Sequence, residues 1–410
     1  NRAAGTSIPN FFPVAPPPKN FSKKNPALVP PLDTLPDFFS AFGTISSSPA
    51  FNNHNRLPYA EEYELSIEHQ FTRSDLLTLS YVGTQGHRLL ASISANPGNP
   101  ALCLSLAAEG CGPGGENNVY IRPDNTFALG TRAPFSGVAL PLGTVLPCAP
   151  GCSTLLPNGQ LGIIPFGNDS YFITAGASSY NSAQINYRHT SGRLQTLIGY
   201  TFSKAFDDSS GYGEQINPIN HRLSRGLSAF DSTHNFVASY NYLLPIDKVG
   251  GPKLLTNGWA VSGITRFSTG LPVTLVETDD HSLLGTAFGG PITLPVDTPD
   301  QVGRVVTMNP RNNGGQYFNA SAFAPSAVGL EGDARRRFFH GPGINNWDFA
   351  LIKDTRITER FNLQFRGEFF NLFNHAQFLT PGGILGSASF GVTTATLPGR
   401  IGQLSLKLGF

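Results

Sequence analysis

The residues able to do chemistry are few and scattered. Asp207-Asp208 and Asp279-Asp280-His281 are the only close groupings in loop-like sequence that could hold a hard cation or a substrate. Calcium needs six or more oxygen ligands, so solvated loop acids are the reading this pattern favours. The nine histidines are dispersed, and none stands at metal spacing with a second ligand. No Gly-x-Ser-x-Gly elbow, phosphate-binding glycine loop, His-Glu-x-x-His pair or calcium-loop pattern occurs. The chain therefore reads as a non-enzyme, with no catalytic residue, no metal site and no cofactor. Arg335-Arg336-Arg337 is a charge run that could meet lipopolysaccharide phosphates, although a solvated turn fits it better.

The four cysteines fall in two close pairs, Cys103 with Cys111 and Cys148 with Cys152, inside Gly/Pro-rich sequence. No histidines accompany them at zinc spacing. Local disulfides in an oxidising compartment fit, and four cysteines leave three pairings open.

A third grouping is a row rather than a cluster. Glu62, Glu64 and Glu68 alternate with Tyr63, Leu65 and Ile67, so a strand over these residues has one acidic and one apolar face. Arg188, Arg366 and Glu368 take corresponding positions in later alternating segments.

Those segments must position everything else, and composition says where they face. Charged residues make up 13% of the 410 positions, against roughly 25% in soluble domains. Gly 45, Pro 33 and Phe 31 are all high. A net charge of +1 leaves no basic footprint for nucleic acid. No apolar run is long enough for a transmembrane helix. Asn1-Arg2-Ala3 is not a start, so the chain reads as a fragment or processed product that lacks its upstream part.

Residues 1–58, rich in Pro, Asn and Phe, show no period and read as one long extracellular loop. From Tyr59 onward alternation predicts nine strands. They centre on Tyr63–Phe71, Leu77–Gly83, Ala183–Arg188, Leu194–Ser203, Asn235–Tyr242, Trp259–Phe267, Trp347–Leu351, Phe361–Phe369 and Gln403–Phe410. Long loops lie between them at 84–178, 204–233, 269–345 and 374–398, and the remaining connections are short. A soluble sandwich also alternates in and out. Regular alternation of short and long connections is the sharper sign, because outer-membrane barrels keep short turns on the periplasmic side and long loops outside. It sets the C-terminus in the periplasm. Tyr59, Tyr81, Phe202, Tyr242, Trp259 and Phe369, near predicted strand ends, suit interfacial aromatic girdles. The acidic and basic residues named above, Glu62, Glu64, Glu68, Arg188, Arg366 and Glu368, are then expected to face the lumen. Single-chain bacterial barrels have even strand counts, so nine strands again imply that part of the wall is elsewhere.

Specific stretches carry a family resemblance. Pro58-Tyr59, Ser80-Tyr81-Val82-Gly83-Thr84-Gln85-Gly86-His87-Arg88-Leu89, Ser179-Tyr180-Asn181-Ser182 and Tyr200-Thr201-Phe202-Ser203-Lys204 come first. His234-Asn235-Phe236, Gly341-Pro342-Gly343, Asn346-Trp347-Asp348 and Phe365-Arg366-Gly367-Glu368-Phe369-Phe370-Asn371-Leu372-Phe373-Asn374-His375 follow in order. Together they resemble the large TonB-dependent receptors abundant in Acidobacteria, of the Oar-like type or with a carboxypeptidase-regulatory-like domain. The resemblance implies an all-β fold: the C-terminal part of an antiparallel, 22-stranded outer-membrane barrel with long extracellular loops. It implies uptake of a bulky nutrient (an oligosaccharide, a peptide or a chelated metal) into a bacterial cell. It also implies a TonB energy-transducing partner, reached through an absent N-terminal part.

Leu404, Leu406, Leu408 and Phe410 resemble the terminal strand that the barrel-assembly machinery reads. Outer-membrane lipid and lipopolysaccharide are the surroundings expected of such a wall. Two other readings remain: a structural or adhesive barrel that transports nothing, and a secreted β-rich binding protein. The substrate, lying in the loops, is not legible.

Overall fold

Strict alternation leaves no helical stripe to bury, and the chain forms strands. The computed structural model describes residues 50–116, 118–124, 126–132, 139–141, 154–155, 161–162, 170–211, 213–285 and 297–410. Nine long strands follow one another in chain order through a single sheet. They are β1 (Tyr59–Gln70), β2 (Asp75–Ser94), β3 (Ser170–Ser191), β4 (Leu194–Asp207), β5 (His234–Leu243), β6 (Trp259–Ser268), β7 (Ile344–Arg356), β8 (Asn362–Phe370) and β9 (Ile401–Gly409). Every consecutive pair is antiparallel. The outer edges of β1 and β9 have no long partner strand among the described residues, so the sheet is open there. Most of the expected 1–58 loop lies outside the described residues, as do Cys148 and Cys152.

Short connections sit at one end of the sheet. Gly192, at φ +55°, makes the two-residue turn from β3 to β4, a conformation that costs glycine nothing. Arg193 then clamps Asp247 of the β5–β6 turn through two bonds of 2.9 and 2.6 Å.

Register decides what each face presents, since opposed residues share a side. One row runs Glu68–Thr78–Asn186–Gly199–Val237–Arg266–Asn346 across β1 to β7. The neighbouring row, on the opposite face, runs Ile67–Leu79–Ile185–Tyr200–Phe236–Phe267 across β1 to β6. The same division continues through β8 and β9, where Gln364 opposes Lys407 and Phe365 opposes Leu406. One face is polar across the sheet; the other is aliphatic and aromatic.

Nothing among the described residues covers the apolar face. Leu65 is 66% exposed and Leu404 73%, while Tyr240, Leu363 and Phe365 are only half-buried. Leaving such a side chain in water forgoes about 1.5–3 kcal/mol each. A face of this extent calls for an apolar cover.

Most of the large buried apolar residues lie in the long connections instead. Phe318, Val273, Leu275, Phe323 and Phe390 form one core within 269–343 and 371–400, with Phe318 edge-on to Phe339 and Phe390 at 5.3 and 5.2 Å. A second core surrounds the Cys103–Cys111 disulfide with Leu106, Tyr120, Ala128 and Leu283. It is built on helix α1 (Pro100–Ser105), whose first turn is capped by Asn99. At this end the long loops pack into a folded cap.

Strand limits also differ from the sequence expectation: β4 and β7 run a few residues into the expected loops, and the largest difference is between β2 and β3. β2 runs on to Ser94 and β3 begins at Ser170, inside the segment expected to be loop 84–178. From Ala91 to Ser94 both sides of the strand are buried, against Ile216, Tyr171 and Ile173. Register shifts between Gly86 and Leu89 and between Leu89 and Ala91 interrupt the alternation just before this stretch, and with it the sequence signal.

Candidate functional site

The polar face gathers the six residues read from the sequence as a set. Glu62, Glu64, Glu68, Arg188, Arg366 and Glu368 all project on this side, as the registers require. Arg366 and Glu368 pair at 2.7 Å, and Gln403 donates to the second Glu368 oxygen at 2.5 Å. Glu62 and Glu68 stand on edge strand β1 opposite Thr84 and Thr78 rather than opposite a cation.

Farther along this wall lies a cavity of about 320 Å³ lined by Tyr180, Gln184, Thr201, Asn235 and Arg266, with Phe230 and Asp231 of the β4–β5 connection over it. The buried Asn235 Oδ1 has no hydrogen-bond partner among the described residues. An adjoining cavity of about 250 Å³ shares Phe230, Ser232 and Arg266 and is otherwise more apolar, with Leu271, Phe378 and Leu379. The Phe230 ring, 67% exposed, stands where the two meet. No sequence motif marks this site; it exists because a loop folds back over strands.

Buried ion pairs hold that loop down. Arg337 grips Glu214 with both Nη atoms, at 2.6 and 2.8 Å, and donates Nε to the Leu227 carbonyl at 2.7 Å. Arg336 donates to the Gln215 carbonyl at 2.8 Å. Both arginines are essentially fully buried. Burial alone would raise the Glu214 carboxyl, but Arg337 and Arg336 outweigh it and hold the group below its usual range. A second knot joins Asp231 to His340 at 2.7 Å and to the Ala205 N–H at 2.6 Å. Burial raises that carboxyl and these partners overcome it, leaving it lowered.

The expected solvated character of these charges is thus corrected. Asp207 lies 3.6 Å from Arg337, and Arg336 and Arg337 point inward; Arg335 alone of that run is exposed. Asp280 is also buried, while His281 pairs with Glu277 at 2.9 Å. Sequence reasoning missed the arginine roles because Asp207 and Glu214 are more than 100 residues away in the chain.

Asp280 belongs to a carboxylate pair. The Ser282 hydroxyl lies 3.2 Å from Asp280 Oδ1 and 2.8 Å from Asp297 Oδ1, and Gly285 N–H donates to Asp280 Oδ2 at 3.0 Å. Burial, reinforced by the Asp297 and Glu116 carboxylates, pushes Asp280 up to about 7. Arg132 binds Glu116 at 2.9 Å and the Gly285 carbonyl at 2.6 Å, tying the disulfide unit to this segment. Among the described residues no group of three or more His, Cys, Asp or Glu side chains could hold a metal ion.

On the apolar face, aromatic rings gather toward the sheet's two ends. Phe202, His234, Phe236, Phe267, Trp347 and Phe373 make successive ring contacts near the long connections, at 5.2 to 6.0 Å where rings adjoin. Tyr242 and Trp259 mark the short-turn end, with Lys353 5.8 Å over the Trp259 ring. Tyr81, expected in a girdle, sits mid-strand opposite Leu65 and Ala183. Leu404, Leu406 and Leu408 line this face of edge strand β9, and Phe410 beyond them is 96% exposed.

A family model described as an outer membrane beta barrel domain matches residues 4–403. No curated protein matches the chain. Among solved structures it is similar to the outer membrane transporter YddB of Escherichia coli, with 8% identity and a TM-score of 0.44 over 90% of this chain and 35% of that one. The ferric-catecholate import receptor Fiu of E. coli K12 gives 12% identity, a TM-score of 0.36, and coverage of 86% and 28%. The FrpB iron transporter of Neisseria meningitidis gives 10%, 0.36, and coverage of 87% and 32%. The chain spans about a third of the length of these proteins.

Proposed function

The chain belongs to the outer membrane beta barrel domain family and is a protein of the bacterial outer membrane; from that premise we propose that it is the C-terminal wall of a TonB-dependent receptor of the Oar-like kind. The cargo is a bulky nutrient: an oligosaccharide, a peptide or a chelated metal. One observation carries the reading. Across nine strands the register keeps one face polar and leaves the other apolar and uncovered, with every long connection at the same end.

Lipid then faces Ile67, Leu79, Ile185 and Leu406, and the lumen receives Glu62, Glu64, Glu68, Arg188, Arg366 and Glu368. Long connections are extracellular, and the short turns with Phe410 are periplasmic. Several strands have 9 or 10 residues, and about 9–11 tilted residues cross a bilayer. β1 and β9 run in the same direction, because eight antiparallel steps separate them. Closure without a parallel seam therefore takes an odd number of further strands, consistent with an even-stranded wall such as the 22-stranded plugged transporters.

In this reading the chain moves nothing by covalent chemistry. Nutrient enters between the capped loops and meets the polar wall near Phe230 and Arg266. A plug, displaced through TonB at the expense of the proton gradient, opens the way inward. The wall and cap stay rigid, as buried Arg337–Glu214 pairing favours. Leu404, Leu406, Leu408 and Phe410 present the strand read by the barrel-assembly machinery.

Uptake by whole cells carrying the full-length parent tests this, with and without a functional TonB. Loss of uptake without TonB is expected. Equal uptake in its absence would overturn the reading.

A further inference from the structure

A charged cavity in the cap lies outside the polar wall. It measures about 560 Å³ and is lined by Phe206, Arg222, Leu223, Arg225, Asp333 and Arg335, together with Gly332 and Ala334. Three guanidinium groups face one carboxylate. Arg222 and Arg335 are exposed, and neither guanidinium makes a hydrogen bond or ion pair among the described residues. Arg225 is held by Asp208 at 3.3 Å and by Ser179 Oγ at 3.0 Å, which aims it without neutralising it fully.

Its position selects the ligand. Phe206 lies on the same face of β4 as Phe202 and Tyr200, the apolar face, and its register partner Ser179 is the residue that Arg225 touches. At roughly 3.3 Å per residue, Phe206 lies about 13 Å beyond Phe202 along the strand. The pocket thus opens on the lipid-facing side, just outside the row of rings formed by Phe202, His234 and Phe236. Aromatic rows of this kind mark the boundary between hydrocarbon and headgroups. Beyond that boundary, in the outer leaflet, stand the phosphates of lipopolysaccharide. Arginine is the side chain best suited to phosphate, through its fixed fork of donors. Leu223, 46% exposed, and Phe206 offer apolar contact beside the charges.

We propose that Arg222, Arg225 and Arg335 form a binding site for the phosphorylated glucosamine headgroup of an outer-leaflet glycolipid. The site holds the β4–β5 connection and the 269–343 connection against the membrane surface, because Arg222 and Arg225 come from the first and Arg335 from the second. The inference rests on the outward orientation of the apolar face proposed above, but its test does not depend on transport.

The protein purified from outer membranes in neutral detergent is titrated with diphosphoryl lipid A, with dephosphorylated lipid A and with inorganic phosphate. Diphosphoryl lipid A should bind about tenfold or more tightly than the dephosphorylated form, the scale of a lost charge-assisted contact. The Arg222→Ala/Arg335→Ala variant should lose about the same factor, whereas Arg304→Ala, an exposed arginine elsewhere in the cap, should lose none. Equal binding of the two lipids would overturn the proposal, with or without a variant that folds. So would inorganic phosphate binding as tightly as lipid A, which would make the pocket a free-anion site. A failure of the transport reading would appear in the TonB experiment and leave this titration unchanged.

Discussion

Arg337 and Glu214, 123 residues apart in sequence, meet in a bidentate ion pair of 2.6 and 2.8 Å at the centre of the cap. Removing one partner of a buried pair costs about 3–5 kcal/mol, because the other charge stays buried without compensation. Glu214→Gln should therefore loosen the β4–β5 connection and speed its cleavage by protease, while the strands stay protected. Glu214→Leu with Arg337→Met should recover much of the loss. The Glu214 carboxyl is lowered, so its contribution is present above the usual carboxylate value and is lost only as pH falls through the folded value. Cap protection measured from pH 7 down to mild acid should hold, and early loss would contradict the account.

Asp280 has the opposite sign. Its carboxyl is raised from 3.8 to about 7, so the folded cap binds an extra proton between those values. Stability contributed by this group is greatest at low pH and falls as pH rises through that window. Asp280→Asn keeps an acceptor oxygen for Gly285 N–H and places its amide N–H toward Ser282 Oγ, which still donates to Asp297. It should raise thermal stability at pH 8 by about 1–4 kcal/mol, at about 1.4 kcal/mol per pKa unit, and flatten the slope between pH 4 and 7. A wild-type stability that rises across the same window would be the wrong result.

Cys103 and Cys111 enclose a short loop inside a small core shared with Leu283. Reduction should add two hydrogens for this bridge in intact mass and increase cleavage between residues 99 and 121. Cys103→Ala should cost about 2–3 kcal/mol of local stability, the scale of a short-loop disulfide. An unchanged proteolytic pattern would show that the apolar packing suffices without the bond.

Phe410 is 96% exposed beyond β9 among the described residues. Deleting it from the full-length parent should lower outer-membrane levels while leaving the thermal stability of whatever protein assembles unchanged. Unaltered levels would remove its proposed role in assembly.

The sheet was legible in the sequence to the extent that its two faces differ. All nine long strands alternate because one side is apolar and the other polar, and all six charged residues taken as a set fall on one side. Ala91–Ser94 escaped because register shifts between Gly86 and Ala91 cut its short alternation off from the rest of β2. The cap escaped for another reason: its order comes from contacts between distant segments. Arg336 and Arg337 read as a solvated run because their partners, Glu214 in the β4–β5 connection and Asp207 at the end of β4, are remote in the chain. Arg222 carried no signal until folding set it beside Arg335. The same limit hid the Phe230–Arg266 cavity, which no spacing in the chain announces.

The central claim is that the two faces of one strand meet different media, and Ile185 and Asn186 test it most directly. They are adjacent on β3, at nearly the same depth, and point to opposite faces. A cysteine at each position of the full-length parent, labelled with an environment-sensitive fluorophore in the outer membrane, can be quenched from lipid or from water. Ile185→Cys should be quenched by a lipid-borne quencher and protected from iodide, and Asn186→Cys should be protected from the lipid-borne quencher. Iodide quenching at position 185, or lipid quenching at 186, would contradict the account.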